Sequence, residues 1–196
     1  MKKLLSIILT LTMFFSVTTV LAAPATASAK SNVTRSMSKN KNFKKLVKRI
    51  STYCIGDSFG KKGTTTVKNN NKTRLSVAAY VRYHIDRDFD YTKAELKKTV
   101  KDLFGKDVKK IQCSGFLMKS TTGYAYAGGD FGTMQPKYKI SKVTKSGKNY
   151  TATIIGKIYE VIEKKTTKQC KITLKFKKSG KSAFNYVATK IKYKKY

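Results

Sequence analysis

Residues 40–196 encode an α+β domain, with three N-terminal helices packed on a curved antiparallel β-meander of about four to six strands. Two features of the pattern carry this. Apolar side chains recur at helical spacing up to Phe104, and after Gly105 the period switches to two, with Lys-, Ser- and Gly-rich spacers at hairpin intervals. Helices that precede a run of strands in this way segregate into an α+β architecture with a single core.

The first helix covers residues 40–56. Phe43, Leu46, Val47, Ile50, Tyr53 and Cys54 form its apolar face, Lys44, Lys45, Lys48 and Arg49 its polar face, and Gly56 reads as the stop. Residues 56–72 combine glycines with Thr64-Thr65-Thr66 and Asn69-Asn70-Asn71, a long loop with at most one short edge strand over Thr64–Val67. A second helix starts at Thr73 and aligns Val77, Ala78, Val81, His84 and Ile85 along one side. The third, Lys93–Phe104, has a capping box in Thr92 and Glu95, a staple in Tyr91 and Leu96, and Gly105 where a left-handed residue closes the helix.

The strands follow at 108–113, 123–127, 138–143, 150–162, 169–177 and 186–193. In 169–177, Cys170, Ile172, Leu174 and Phe176 alternate with Lys171, Thr173, Lys175 and Lys177. In 186–193, Val187, Thr189, Ile191 and Tyr193 alternate with Ala188, Lys190, Lys192 and Lys194. One face is therefore core and the other a lawn of lysine. The parity of 150–162 changes at Ile154-Ile155-Gly156, which predicts a bulge that bends the sheet.

In the order of these elements, residues 40–196 resemble the cone-shaped NTF2-like domains and, more loosely, the cystatin-like ones. The resemblance implies a roll with helices on its concave side and a ligand site at the cone's mouth.

The chain opens as secretory signal peptides do. Met1-Lys2-Lys3 is a basic n-region, residues 4–21 are apolar, and residues 22–29 are small, with a cut placed before Lys30. An uncleaved anchor is the competing reading, against which stand six Ser and Thr residues inside the apolar run. The division is thus a signal peptide (1–29), a flexible polar leader (30–39) and one domain (40–196). Cleavage of the 196-residue chain leaves 167 residues and lowers the formal charge from +33 to about +31. Export from a Gram-positive-type bacterium, with retention at the wall by charge, is the localisation this implies.

Such a charge favours a polyanionic partner, since self-repulsion opposes the compact state. Only Arg35, Arg49, Arg74, Arg82 and Arg87 among the 43 basic residues are arginine, so lysine point charges, not planar forks, make the field. That composition favours loose retention of an anionic wall polymer or other extracellular polyanion over reading of a nucleic-acid sequence. A charge that serves only solubility is the plain alternative. The residues that would carry the contact are Lys139, Lys171, Lys175, Lys177, Lys190, Lys192 and Lys194, with the lysines of the first helix as a second patch.

No catalytic signature, cofactor motif or metal pattern emerges. His84, Asp86, Asp88 and Asp90 form the densest cluster of acid–base groups, but a calcium loop starting at Asp86 has Tyr91 where glycine is needed and Lys97 where glutamate is needed. His84, Asp86 and Asp88 remain a candidate pocket at the cone mouth beside the 56–72 loop, including a Cys–His pairing with one of the thiols. Cys54, Cys113 and Cys170 permit one disulfide and one free thiol; their apolar settings make buried reduced thiols the simpler reading. The reading of function is accordingly a non-enzymatic basic domain that binds anionic envelope polymer, with a pocket at His84 second and non-specific nucleic-acid binding third.

Overall fold

A computed structural model describes residues 29–196; the signal-peptide reading of residues 1–29 falls almost wholly outside them. The chain opens with β1 (Ser31–Asn32) and α1 (Thr34–Lys39). The leader is thus ordered, contrary to the expectation of a flexible segment. Val33 donates its N–H to Val143 O (2.9 Å), the Thr34 hydroxyl accepts from Val143 N (2.8 Å), and Met37 is buried. One buried side chain on a six-residue helix leaves no period in the sequence to detect.

Helix α2 (Lys41–Asp57) is capped by the Asn40 side chain, which accepts from Phe43 N, and it buries all six residues of its apolar face. It does not stop at Gly56. That glycine is a packing device, since a Cβ there would lie 1.7 Å from the Tyr80 hydroxyl. A 3-10 turn (Ser58–Gly60) leads to β2 (Thr64–Val67) at a sheet edge. Helix α3 (Asn71–Val81) starts two residues before Thr73, capped by Asn70, and is buried on every side from Leu75 to Val81. It continues as a π-helical turn, Arg82–Asp86.

After β3 (Asp90–Tyr91), helix α4 (Lys93–Phe104) carries the full capping box, and Gly105 closes it at φ 63°. The bonds from the Thr92 backbone and hydroxyl, followed by Arg82, hold the Glu95 carboxyl below its usual range. Residues 108–113 form no strand: Val108 is buried and Lys110 O accepts from the Asn71 side chain, yet the segment joins no sheet. Strands β4 (Leu117–Lys119) and β5 (Tyr124–Tyr126) instead join β3 in a small sheet of order β3-β5-β4.

The large sheet adds β6 (Met134–Ser146), β7 (Asn149–Glu160), β8 (Lys165–Lys178) and β9 (Tyr186–Lys195) in the antiparallel order β1-β6-β7-β8-β9-β2. The architecture is α+β as predicted; among the described residues there are four α-helices where three are read from the sequence, and six strands in the main sheet beside the three-stranded one. The register does shift around the predicted Ile154–Gly156 stretch, but the extra residues sit on the strands that pair with β7 and not in β7 itself. Tyr150, Ala152, Ile154, Gly156 and Ile158 keep one inward parity along β7, and the extra residues are Ser141 in β6, Gln169 in β8 and Thr189 in β9. The Thr189 bulge resets the alternation of β9, so Ala188 and Ile191 face the core together and Thr189 is exposed.

Helix α2 lies across the inner face of this sheet. Phe43 stacks on Phe176 at 4.8 Å, Tyr150 stacks on the other side of the same ring at 5.1 Å, and Tyr186 meets it edge-on. Gly156 lets α2 approach β7, because a Cβ there would stand 2.8 Å from Ile55 and 2.9 Å from the Cys170 sulfur. Apolar side chains fill the helix-covered side of the sheet, which leaves the outer face to the lysines.

Candidate functional site

The outer face is best described by its cross-strand rows. Thr64, Lys194, Lys171, Ile155 and Lys139 stand opposite one another across five strands. The next row runs Thr66, Lys192, Thr173, Thr153, Lys142, and the one after it Lys190, Lys175, Thr151, Thr144, Asn32. Lys177 pairs with Asn149 beyond them. All seven lysines singled out from the sequence are exposed on this face. Neighbouring strands lie about 4.8 Å apart, so each row sets ammonium groups and hydroxyls at a short, regular interval.

Sequence alternation overlooks Lys142 because the Ser141 bulge brings it to the same face as Lys139. Lys137, Lys157 and Lys168 form a further row of three directly opposed lysines, legible only once the register is known. Glu160 and Glu163 are the only acids after Asp130, and both sit at one hairpin. Among the described residues the ion pairs lie on the helical side, at Arg49–Asp86, Arg82–Asp88, Arg82–Glu95, Lys98–Asp102 and Lys101–Asp107. The lysine face has no internal counter-charge. All five arginines belong to the helical half.

The second candidate place is His84. Its ring is boxed by Tyr80 (4.3 Å), Tyr83 (4.9 Å), Phe131 (4.9 Å) and Tyr126 (5.1 Å). The Tyr126 hydroxyl donates to Gly129 O at 3.0 Å and lies 3.1 Å from His84 Nε2. The hydroxyl has one proton to share between the Gly129 carbonyl and the ring, and on the ring's other side Nδ1 faces Asp130 at 3.6 Å. Burial pulls the imidazole pKa down to about 4, opposed by Asp130 and reinforced by Arg87.

Asp86 and Asp88 do not join it. Asp86 accepts from Arg49 at 2.7 Å, and Asp88 pairs with Arg82, whose guanidinium also reaches Glu95 at 2.9 Å. The acid that faces His84 is Asp130, 46 residues on, which no local spacing could reveal. An open groove of about 440 Å³ runs past the ring between Lys48 and Thr52 of α2 and Pro136 and Tyr138 of β6. From the 56–72 segment, Gly56 lies against Tyr80 and Phe59 meets Phe131 at 6.3 Å.

None of the cysteines partners the histidine. Cys54 and Cys170 are buried free thiols in the core, where burial raises the pKa of both, Cys170 to about 11. Cys113 is exposed, not buried, because the strand that would have turned it inward does not form. Among the described residues, no group of three His, Cys, Asp or Glu side chains is placed to hold a metal, and no helix is long and apolar enough to cross a membrane. No family model matches the chain, and no curated protein or solved structure does so either.

Proposed function

We propose that the protein is an exported, non-enzymatic domain of NTF2-like or cystatin-like roll type that holds an anionic envelope polymer on the outer face of its large sheet. The observation that carries this reading is the set of lysine rows with no acid among them. Lys171 opposite Lys194 and Lys175 opposite Lys190 place like charges side by side, an arrangement that opposes folding and that a bound polyanion relieves. The intervening threonines offer hydroxyl donors to phosphate oxygens without adding charge. Helix α2 against the inner face of the sheet and three bulges in the strands support the roll.

Titration with poly(glycerol phosphate) over about 50 to 200 mM NaCl tests it. Seven lysine contacts give a log–log salt slope of about −5 for a flexible single-stranded polyanion, and changing Lys171, Lys175, Lys190 and Lys194 together to Gln makes it shallower by about 3. Equal retention on an uncharged polymer of the same length, or an unchanged slope in the fourfold variant, overturns the reading. Double-stranded DNA at matched salt is the comparison for the nucleic-acid alternative, which the lack of arginine on the face disfavours.

The groove beside His84 supports a pocket as the second reading. His84→Ala tests it: undiminished binding of any ligand found to occupy the groove removes the role of the ring.

A further inference from the structure

Among the described residues, four of the six large apolar side chains left exposed, Phe59, Val161, Ile162 and Tyr196, gather at one end of the large sheet. Val161 donates its N–H to Thr133 O at 3.2 Å, beside the strand connection that carries Phe131, against which Phe59 packs. Tyr196 donates to Gln169 O at 3.2 Å, and the β7–β8 hairpin runs on beyond it to end in Val161-Ile162-Glu163-Lys164. Ile162, 76% exposed, is the most solvent-exposed of the six.

Turn chemistry does not account for these side chains. The other long hairpins turn on Gly147 and on Ser179-Gly180-Lys181, polar and glycine-bearing as tight turns prefer, whereas this one sets two β-branched aliphatics in solvent and puts Lys164 at φ 52°. Basic groups ring the tip. Lys137, Lys157 and Lys168 form their opposed row just below it, and Lys164 and Lys165 flank the turn. The Lys137 Nζ lies 3.7 Å from the centre of the Tyr159 ring and Lys168 Nζ 5.8 Å from that of Tyr196, aromatic flanks with an apolar body and a polar tip. Glu160, whose carboxylate accepts the Ile162 N–H at 3.4 Å, and Glu163 are the acids present, outnumbered by the five lysines.

We propose that this end is a membrane-contact site for an anionic bilayer, with Val161 and Ile162 entering the boundary between headgroups and acyl chains while the surrounding lysines engage lipid phosphates. An exposed aliphatic pair collared by positive charge matches that surface in both polarity and sign. The site adjoins the polymer-binding face and shares the Lys137, Lys157 and Lys168 row with it, but its aliphatic tip, Val161 and Ile162, lies beyond the lysine rows.

The absence of tryptophan from the chain makes the test specific, because Ile162→Trp creates the sole indole. With vesicles containing phosphatidylglycerol, its emission moves to the blue and is quenched by brominated phosphatidylglycerol; with pure phosphatidylcholine at the same salt it stays put. Val161→Trp, read the same way, repeats the measurement one residue away. An unmoved emission in both variants while the protein still sediments with anionic vesicles overturns the proposal, since binding then uses charge alone. The same blue shift on adding poly(glycerol phosphate) without lipid also overturns it, because the tip would then be answering phosphate and not a bilayer.

Discussion

Lys171 of β8 stands directly opposite Lys194 of β9, with Lys175 and Lys190 repeating the juxtaposition along the same ladder. The β-pleat requires only that these positions point outward; it does not require that both be lysine. Like charges in directly opposed positions destabilise a sheet, and Thr173 opposite Lys192 between them shows that an uncharged residue fits the same face. The charge placement therefore works against the fold and toward an external anion.

Lys171→Gln is accordingly expected to stabilise the protein while weakening polyanion binding. At about 10 mM salt the gain is about 0.5 kcal/mol, and it vanishes near 1 M, where screening reaches within about 3 Å. Urea midpoints at the two salt concentrations check this; a loss of stability at low salt would mean that the lysine stem contributes more by covering Ile155, its opposite number on β7, than its charge costs.

The His84 box makes stability depend on pH. Unfolded, the imidazole titrates near 6.5; folded, it does so at about 4, so between these values the unfolded state binds a proton that the folded state refuses. Stability contributed by the neutral ring is complete above about 6.5 and is lost as pH falls toward 4, on the order of 2 kcal/mol. His84→Phe keeps an aromatic ring among Tyr80, Tyr83 and Phe131, leaves the Tyr126 hydroxyl its bond to Gly129 O, and should flatten the urea midpoint across that window relative to the parent. Equal slopes in the two proteins would show that the carboxylates alone set the profile.

Much of this could be read from the chain, and the limits have physical reasons. The bounds of α4 follow from Thr92, Glu95 and Gly105 because capping is local chemistry. The faces of β8 follow from simple alternation. What escaped depends on contacts far apart in sequence. Gly56 ends a helix on local grounds, yet it continues α2 because Tyr80 crosses it. Gly156 looks like a break in parity, yet it is an inward position emptied for Ile55. Residues 108–113 have strand composition but no edge to pair with, and Asp130 reaches His84 only through the fold. The lysine rows themselves needed the three bulges to set their register.

Gly156→Ala tests the close approach of α2 to the sheet. The added methyl would meet Ile55 on the helix and the Cys170 sulfur on β8, two fully or nearly fully buried groups, so an overpacking loss of about 1 to 3 kcal/mol is expected. Pairing it with Ile55→Val, which removes the Cδ1 that would stand at 3.3 Å and frees the remaining γ carbon to turn away, should recover part of that loss. Urea denaturation of both variants measures it, and a neutral Gly156→Ala would mean that the helix rides freely over the sheet.

The thiols should separate by burial. Cys54 and Cys170 lie in the core with their pKa values raised by burial, so both the thiolate fraction and access for a reagent are small, whereas Cys113 is open to solvent. A disulfide-exchange reagent is therefore expected to titrate one thiol per native chain and three after denaturation, since all three cysteines are free. One thiol in both states would reveal a bond between Cys54 and Cys170, and none in the native state would place Cys113 under cover. Rapid labelling of Cys54 or Cys170 in the folded protein would show that α2 lifts from the sheet on the timescale of the reaction, because Cys54 sits on the helix face that the sheet covers and Cys170 packs against its carbonyl.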